Sequence, residues 1–312
     1  KYVHKGNKRP AWKQQRSGNR LKGHNMIMDS VFKKRVGENG AELLYIGELD
    51  DAFPVKTFFT TKNGGMSVGP YTSLNMGAAS GDDPDTVARN RDMAFEAAGC
   101  DIAAVAYPTQ VHRSDIVCID ADMLRSGRDD RSASGAGYVS KYRTLVFPDT
   151  DATITNIPGV MLTSLHADCI PVWLYDRKNH VAGVAHAGWR GTRADIAAGT
   201  LRRMTDEFGT RPEDVTAVIG PGISMCCFEV GREVYESFAE MLPESVDEFC
   251  HDDGNGKFHM DLKGINRKLL ERAGAGRILV TGLCTCCSED LFFSYRRDGG
   301  VTGRMCAGIC LE

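Results

Sequence analysis

Three short segments of this 312-residue chain combine histidine, cysteine and acidic side chains with apolar neighbours. They are Thr109–His112, His166–Cys169 and Ala185–Gly191. Each polar group ends or follows an apolar run, where a strand would give way to a loop. Catalytic groups concentrate at such positions because a rigid sheet holds them while the loop admits substrate. The pattern therefore singles out His112, Cys169 and His186 as candidate functional residues.

Two kinds of chemistry fit these three side chains. Two imidazole nitrogens and one thiolate sulfur form a ligand set that suits zinc and leaves a fourth position for water, as in catalytic rather than structural sites. Alternatively, Cys169 is a nucleophile and His186 is its base, the thiol–imidazole pair of cysteine hydrolases. A third interpretation is that the three residues are unrelated and buried, because free cysteine is commonly a core residue.

The segment after His186 also has the features of an anion site. Gly188 and Gly191 permit a ligand to approach the backbone closely, and a helix is predicted to begin near Thr192. A helix amino terminus attracts anions through its unpaired N–H groups and its dipole. Together with the neighbouring Arg190, it predicts a site suited to phosphate.

Cysteines elsewhere in the chain offer a competing metal pattern. Cys284 and Cys287, followed by Cys306 and Cys310, have nearly the spacing of a zinc ribbon. The second pair lies in a predicted strand, which would separate its members by about 13 Å at about 3.3 Å per residue. Two ligands of one tetrahedral zinc ion cannot be so far apart. The sequence thus argues against this site, and it predicts that the Cys226–Cys227 pair serves packing or a loop.

The elements that must position these residues alternate irregularly between strands and helices. Strand-like apolar segments are Lys56–Thr60, Val160–Leu165, Ile170–Tyr175, Val181–Ala185, Val215–Ile219, Arg277–Leu283 and Arg304–Cys310. Helical periodicity with suitable ends is found in Asp85–Ala98, Thr192–Phe208, Arg232–Leu242 and Asp261–Ala273. This order predicts one α/β domain with a mixed central sheet flanked by helices.

Charge is distributed unevenly along the chain. Residues 1–25 hold eight of the 38 Lys and Arg side chains and no acidic one, so the remainder carries a formal charge of −11. We expect residues 1–25 to be a disordered leader or a tail added for expression, and residues 26–312 to form a single catalytic domain. An acidic body is a poor match for a phosphate backbone, which argues against a nucleic-acid partner.

Composition also bears on location. The longest apolar runs, such as Ile170–Tyr175 and Val215–Ile219, are far shorter than the roughly 20 residues of a bilayer span, which predicts a soluble protein without a membrane partner. Eleven cysteines is an odd number, and residues 1–25 lack the apolar core of a secretory signal. Both features favour reduced thiols and a cytoplasmic location.

The order of the motifs along the chain resembles that of a known family. The matching blocks are Gly64–Ser67, Tyr71–Asn75, Gly81–Asp83, Asn90–Arg91, Thr109–His112, Ala167–Val172, Ala185–Gly191, Ile219–Ile223, Cys227–Gly231 and Phe292–Asp298. Together they are similar to the signature of the laccase-domain family, also described as multicopper-polyphenol-oxidase-like, from about Phe53 to the carboxyl end. So many blocks in order are far more specific than any single motif.

This resemblance implies a fold, a metal site and an activity. The implied fold is that of the cytotoxic-necrotising-factor type of cysteine hydrolase. The implied metal ligands are His112, Cys169 and His186, with zinc as the expected ion and copper able to replace it. Members of the family cleave adenosine, inosine, guanosine or methylthioadenosine with phosphate, and they deaminate adenosine. The expected partners are therefore purine nucleosides and phosphate.

The same reactions assign roles to further residues. Asp168, with Glu229 as second choice, is the expected proton shuttle in deamination. Phosphate needs cationic groups around it, and the leaving base needs stabilisation. The expected substrate-binding residues are Arg190, Arg296 and Arg297 for phosphate and Asn75 and Arg91 for the nucleoside. The three arginines could instead pair with carboxylates that stabilise loops.

One departure from the family pattern is His166, where a small polar residue is common. As a fourth possible ligand beside Cys169, it could change the metal preference. If the strand runs on through Cys169, however, the His166 side chain points to the opposite face.

Three other functions compete with nucleoside cleavage. Copper-dependent polyphenol oxidation at a multicopper site needs many histidines, often in His-x-His pairs; only six histidines lie outside residues 1–25, and none forms such a pair. A hydrolase or deamidase acting on protein would use Cys169 as its nucleophile. A non-enzymatic binding module fits less well with an open metal site and phosphate-suited loops.

Overall fold

Two large β-sheets, packed face to face, form the centre of the molecule. The computed structural model describes residues 29–130 and 138–312. The predicted leader, residues 1–25, lies outside the described residues. Within the described ranges, no helix is long and apolar enough to cross a bilayer.

The chain contains sixteen described strands and seven described α-helices. The strands are β1 (Phe32–Val36), β2 (Glu42–Ile46), β3 (Val55–Thr60), β4 (Ala104–Pro108), β5 (Ile116–Cys118), β6 (Thr144–Phe147), β7 (Ala152–Thr155), β8 (Val160–His166), β9 (Ile170–Asp176), β10 (Val181–Ala187), β11 (Val215–Ile219), β12 (Glu229–Gly231), β13 (Cys250–Asp252), β14 (Lys257–Met260), β15 (Arg277–Val280) and β16 (Met305–Leu311). The α-helices are α1 (Gly47–Asp50), α2 (Pro84–Ala98), α3 (Ala121–Ser126), α4 (Trp189–Arg193), α5 (Ile196–Phe208), α6 (Arg232–Met241) and α7 (Leu262–Arg272).

The strands form two large mixed sheets and one small antiparallel sheet. The first has the order β1-β2-β3-β16-β8-β4-β6, the second β15-β11-β9-β10-β7-β5, and the small one β12-β14-β13. Parallel pairs, such as β4–β8 and β11–β15, occur beside antiparallel ones in both large sheets. The mixed α/β single-domain fold is confirmed. The single central sheet is wrong, because the predicted strands are divided between two sheets, with β8 in the first and β9 to β11 in the second.

A buried apolar layer joins the two large sheets. Phe59 of β3 meets Trp173 of β9 edge to face, with 6.2 Å between the ring centroids. Helix α2 covers the outer face of the first sheet, where Phe95 packs against Phe58. Helices α5 and α7 cover the outer face of the second sheet. The layers are therefore helix, sheet, sheet and helix.

Helix boundaries follow the predicted caps, with one exception. The side chains of Asp83 and Asp261 accept hydrogen bonds from backbone N–H groups at the starts of α2 and α7. The single helix predicted over Thr192–Phe208 is wrong, because Asp195, with φ of +57°, interrupts it and divides it into α4 and α5. Thr192 is buried inside α4, so no helix begins there to receive phosphate.

The crossing of the chain between the sheets positions the candidate site. Strand β8 belongs to the first sheet and β9 to the second, so residues 167–169 span the two. Strand β4 runs parallel to β8, and the carboxyl ends of parallel neighbours meet at the same edge of a sheet. The loop that carries His112 after β4 therefore lies beside the turn that carries Cys169.

Candidate metal centre and adjoining cavity

The three candidate ligands lie together although they come from distant parts of the chain. His112 follows β4, Cys169 lies in the turn between β8 and β9, and His186 is on β10. One nitrogen of each imidazole and the Sγ atom of Cys169 all lie within 4.8 Å of one another. Two nitrogens and one sulfur at this spacing can hold a zinc-type ion and leave a position open.

A buried carboxylate, Asp151, holds two of these ligands in place. Its Oδ1 atom accepts a hydrogen bond from Nδ1 of His186 at 2.9 Å. This contact directs Nε2 of His186 toward the centre, as is usual for metal-binding histidine. Asp151 also accepts hydrogen bonds from the N–H groups of Val111, His112 and Arg113, at 3.2, 3.0 and 2.8 Å. These contacts fix the loop in which His112 has a φ of +61°.

Asp151 was not predicted as a site residue, because it belongs to no recognised motif. Its one visible feature is that it directly precedes the buried strand β7. Burial by itself would raise the pKa of the Asp151 carboxyl, but hydrogen bonds from His186 and from backbone N–H groups lower it overall. Asp151 therefore stays ionised and can support a positive charge on His186.

Charge interactions favour a thiolate–imidazolium pair at this centre. Burial opposes ionisation of Cys169, but the neighbouring His186 and His112 lower the pKa of its thiol to about 6. Burial also opposes protonation of His186, but the Cys169 thiolate and Asp151 raise the pKa of this imidazole to about 9. Thiolate is the form of cysteine that binds metals and that acts as a nucleophile.

The backbone at Gly188 and the hydrogen-bonded side chain of His166 border the centre. A Cβ atom added to Gly188 would lie 2.9 Å from Sγ of Cys169 and 3.3 Å from Cδ2 of His112. The ring nitrogens of His166 contact Oγ of Ser164 at 2.8 Å and the carbonyl of Cys169 at 3.1 Å. His166 therefore lies outside the ligand group, because both of its ring nitrogens are engaged in hydrogen bonds. Strand β8 ends at His166 and does not run on through Cys169.

A cavity of about 750 Å³ opens beside the centre, and all three candidate ligands form part of its wall. Apolar and aromatic side chains line much of the remainder, among them Leu165, Ile223, Phe228 and Tyr295. Guanidinium groups supply its positive charge. An apolar pocket with a few convergent polar groups is typical of a small-molecule site.

Three arginines line this cavity, and the sequence analysis anticipates two of them. Arg190 and Arg296 are exposed side chains at its wall. The third, Arg304, precedes β16, and its Nη1 donates hydrogen bonds to the carbonyls of Thr302 and Gly303 at 2.8 and 3.0 Å. Arg304 was predicted only as the first residue of the last strand, and not as a site residue. The one indication available in the sequence was a positively charged side chain next to the start of a predicted strand.

Arg297 lies outside the lining of this cavity. Its Nε donates to Asp298 at 2.8 Å, and its other nitrogens donate to the carbonyls of Phe292 and Thr285 at 2.8 and 3.0 Å. These contacts are the loop-stabilising pairs that the sequence analysis names as an alternative. The structure does not bring Arg297 to the predicted phosphate site.

Asn75 is fully buried behind the cavity wall. Its Oδ1 accepts hydrogen bonds from the N–H groups of Gly77 and Arg304 at 3.0 and 2.8 Å. Its Nδ2 donates to Oγ of Ser80 at 2.8 Å and to Asp82 at 2.9 Å. Asn75 thus shapes the wall from behind, and the predicted direct contact with a nucleoside is not supported by this geometry.

Arg91 lies in a smaller cavity of about 190 Å³ that adjoins the larger one. The two cavities share Ala78, Tyr107 and Thr109 in their walls. The guanidinium of Arg91 lies over the ring of Tyr107, 4.1 Å from its centroid, and its Nε donates to the carbonyl of Met76 at 3.0 Å. Arg91 is therefore beside the main cavity and not in its wall.

The two predicted proton carriers have different surroundings. Asp168 lines the cavity, but its carboxylate accepts hydrogen bonds from Oγ1 of Thr285 at 2.6 Å, Oγ of Ser294 at 3.0 Å and the N–H of Arg296 at 2.7 Å. Burial raises the pKa of Asp168, while these hydrogen bonds act in the opposite direction. Glu229 is exposed on β12 and lies outside the cavity lining.

The fold and the site define a mixed α/β protein in which a histidine–cysteine centre faces a small-molecule cavity. The chain belongs to the family described as multi-copper polyphenol oxidoreductase laccase, whose model matches residues 56–312. The family resemblance seen in the sequence is thereby confirmed.

Named relatives cover most of the chain. It is 38% identical over 260 residues to a purine nucleoside phosphorylase of Bacteroides thetaiotaomicron, a match that covers 83% of this chain and 92% of that protein. It is 41% identical over 254 residues to a purine nucleoside phosphorylase of Deinococcus radiodurans, which covers 81% and 88%. The crystal structure of YlmD from Geobacillus stearothermophilus has a TM-score of 0.77 at 33% identity, covering 90% of this chain and 99% of that one.

Proposed function

We propose that this chain is a purine nucleoside phosphorylase acting on adenosine, inosine, guanosine or methylthioadenosine. The observation that carries the proposal is a cavity of about 750 Å³ that joins an apolar wall, three arginines and the His112–Cys169–His186 centre. The names of relatives that match more than four-fifths of this chain support the same reaction.

The charges of the cavity suit the phosphorolysis step. A phosphate oxygen attacks C1′ of the ribose, and the bond between C1′ and the purine breaks, so that the purine leaves with the electron pair. Arg190, Arg296 and Arg304 would bind phosphate and hold it next to the sugar. The apolar side chains of Ile223 and Phe228 would pack on the base and orient it.

The donor set and the space beside Gly188 fit a zinc ion held by His112, Cys169 and His186. Zinc bound there would supply Lewis-acid chemistry, including the activation of water for deamination of adenosine. Asp151 would orient His186 for that role. Asp168 is the proposed proton carrier in deamination, because burial raises the pKa of its carboxyl at the cavity wall.

Copper-dependent polyphenol oxidation has less support. In residues 29–130 and 138–312, no cluster of metal-ligating side chains contains more than two histidines. A multicopper centre requires many more. Copper could still replace zinc at this centre, because Cu²⁺ binds nitrogen ligands more tightly than zinc does.

One observation favours a second candidate, a cysteine hydrolase or deamidase. The thiol of Cys169 lies next to the imidazole of His186, which in turn is hydrogen-bonded to the carboxylate of Asp151. This is the spatial order of a nucleophile, its base and the group that orients the base. The pKa of about 6 would keep Cys169 ionised at neutral pH. The predicted likeness to cysteine hydrolases of the cytotoxic-necrotising-factor type belongs to this candidate.

Incubation of the purified chain with adenosine, with and without phosphate, tests the proposed function. We expect chromatography to show adenine only when phosphate is present, and inosine if deamination also occurs. His112→Ala is the inactive variant, and His180→Ala, outside the cavity, is the matched control. Absence of any product above the His112→Ala background would overturn the nucleoside function. Release of ammonia from a glutamine-containing peptide by the metal-stripped chain would favour the hydrolase instead.

A further inference from the structure

Four cysteines form a second cluster next to the cavity. The Sγ atoms of Cys226, Cys227, Cys284 and Cys287 all lie within 4.8 Å of one another. Sγ of Cys287 is 3.5 Å from that of Cys226 and 3.4 Å from that of Cys227. All but Cys287 are buried. The cluster combines the Cys226–Cys227 pair, which the sequence analysis assigns to packing or a loop, with one half of the ribbon-like pattern.

The other half of that pattern lies elsewhere. Cys306 and Cys310 are on β16 and are buried in the apolar layer between the first sheet and α2. This pair therefore does not join Cys284 and Cys287 in one site, as the sequence predicts. The partners of Cys284 and Cys287 come from a different segment, more than fifty residues earlier in the chain.

Strand order brings the two cysteine segments together. Cys226 and Cys227 follow β11, and Cys284 and Cys287 follow β15, which is the parallel neighbour of β11. Loops that leave the carboxyl ends of parallel neighbours start side by side. A bridge between Gly222 and Cys284, with the N–H of Thr285 donating to the carbonyl of Gly222 at 3.2 Å, holds these loops in register.

The sulfur spacing fits a tetrahedral metal ion. Zinc–sulfur bonds of about 2.3 Å place tetrahedral ligands about 3.8 Å apart. The separations of Cys287 from Cys226 and Cys227, 3.5 and 3.4 Å, are slightly shorter than this, and the full cluster stays within 4.8 Å. Small side-chain rotations would therefore suffice to surround one ion. Four cysteines also fill every position of a tetrahedral ion, which is the ligand set of structural zinc.

Two neighbouring groups suit a cluster of thiolates. The N–H of Ser224 donates to Sγ of Cys284 at 3.4 Å, a hydrogen bond that stabilises negative charge on sulfur. Lys263 is buried nearby, and its charge interacts with Cys284 and Cys226. Its Nζ donates to the carbonyls of Thr281 and Leu283 at 3.2 and 2.6 Å. One zinc ion with four thiolates carries two negative charges, so a fixed cation beside it lowers the cost of burial.

We propose that Cys226, Cys227, Cys284 and Cys287 hold a structural zinc ion, separate from the ion of the His112–Cys169–His186 centre. The ion ties the loop after β11 to the loop after β15. Both loops support the cavity, because Ile223 and Phe228 belong to the first and Thr285, which bonds Asp168, belongs to the second. The cysteine cluster thereby holds one side of the cavity wall in place.

Metal content of the purified 312-residue chain tests this proposal. The Cys169→Ala variant lacks one of the three ligands of the His112–Cys169–His186 centre. We therefore expect it to lose the ion of that centre and to retain one zinc ion per chain at the four cysteines. Adding Cys284→Ser and Cys287→Ser to it should remove that ion, whereas adding Cys118→Ser should not. Cys118 is a suitable control because β5 lies at the opposite edge of the second sheet from β15. Loss of all zinc from the Cys169→Ala variant, or retention in the triple variant, would overturn the proposal.

A second measurement needs no change to the cluster. Cobalt(II) added to the metal-free Cys169→Ala chain should produce intense sulfur-to-cobalt absorption that saturates at one ion per chain. Alkylation followed by peptide mass spectrometry should label all four cysteines only after chelation. Three outcomes would each overturn the proposal. They are disulfides among the four cysteines in protein purified with zinc present, iron in place of zinc, and weak cobalt absorption without sulfur ligation.

Discussion

Two clusters of candidate metal ligands among the described residues contain cysteine, and they use it in opposite ways. At the His112–Cys169–His186 centre, one ligand is buried, one is partly buried and His112 is exposed to a cavity. At the four-cysteine cluster, three ligands are buried and the protein itself can supply every ligand. An ion at the first centre would keep a position for a substrate or water, whereas an ion at the second would not. We therefore call the His112–Cys169–His186 group the open centre and the four-cysteine group the closed cluster.

The surroundings differ in the same sense. Asp151 orients His186 at the open centre, and nearby imidazoles lower the pKa of Cys169 to about 6. At the four-cysteine cluster, the N–H of Ser224 donates to Sγ of Cys284, and the buried Lys263 offsets negative charge on the sulfurs. In the roles proposed for these clusters, cysteine would serve a reaction at one and would fix two loops at the other.

The largest expected effect on turnover comes from removing the sulfur of the open centre. We expect Cys169→Ala to lower kcat/KM for adenosine phosphorolysis by more than about 100-fold. Removing a metal ligand should cost more than removing a residue that only orients a ligand, which typically costs about 10–100-fold. Initial rates of adenine release measure the effect. Cys118→Ser is the matched control. Near-normal rates in Cys169→Ala would contradict a role of the His112–Cys169–His186 centre in the reaction.

A smaller loss is expected when the orienting carboxylate is changed. Asp151→Asn keeps the shape of the side chain but weakens the hydrogen bond to Nδ1 of His186, so zinc affinity or activity should fall by about 10–100-fold. Zinc competition with a coloured chelator, together with initial rates, would measure both. Asp149→Asn, at an exposed position two residues away, should change neither. Equal effects of both variants would show that Asp151 has no special link to the centre.

The pH dependence of thiol reactivity gives the third contrast. In the metal-free chain, raising the pH from 5 to 7 passes through the pKa of about 6 of Cys169 and increases its thiolate about tenfold. Its alkylation rate should rise accordingly and then level off. Burial raises the pKa of Cys118 to about 11, so labelling of this cysteine should stay low across that range. Cys169 labelling that rises only above pH 8 would contradict the thiolate–imidazolium pair.

The smallest effect on turnover is expected from the closed cluster. Cys284→Ser with Cys287→Ser should lower the free energy of unfolding by about 2 kcal/mol or more, since loss of a structural metal is among the larger destabilising changes. The rate per folded molecule should fall less than about tenfold, or 1.4 kcal/mol. Thermal melts and rates at a temperature well below the melting point separate these quantities. Turnover as low as in Cys169→Ala would place both clusters in the reaction.

Much of the fold was predictable because local patterns determine it. The apolar runs that become β8 to β11 and the capped helices α2 and α7 lie within two residues of their predicted bounds. The helix predicted over Thr192–Phe208 divides at Asp195 because a single residue adopts a left-handed conformation that hydrophobic periodicity does not reveal. The charged β1 and the three-residue β5 were not predicted, since each forms through pairing with another strand.

The candidate site was predicted in part for a related reason. His112, Cys169 and His186 stand out because each lies in a distinctive motif at a strand end. Asp151 and Arg304 do not stand out, because their roles depend on which loops fold beside them. Arg297 belongs to a matched motif, yet its guanidinium is engaged by Asp298 and carbonyl groups.

The sequence by itself determined the types of the main elements, the family and the choice of His112, Cys169 and His186 as candidate ligands. Tertiary structure alone decided that there are two sheets, that Asp151 lies behind His186, and that Cys226 and Cys227 meet Cys284 and Cys287. The physical reason is that periodicity and caps act over a few residues. The order of strands in a sheet, such as β15 beside β11, depends on contacts between segments far apart in the chain.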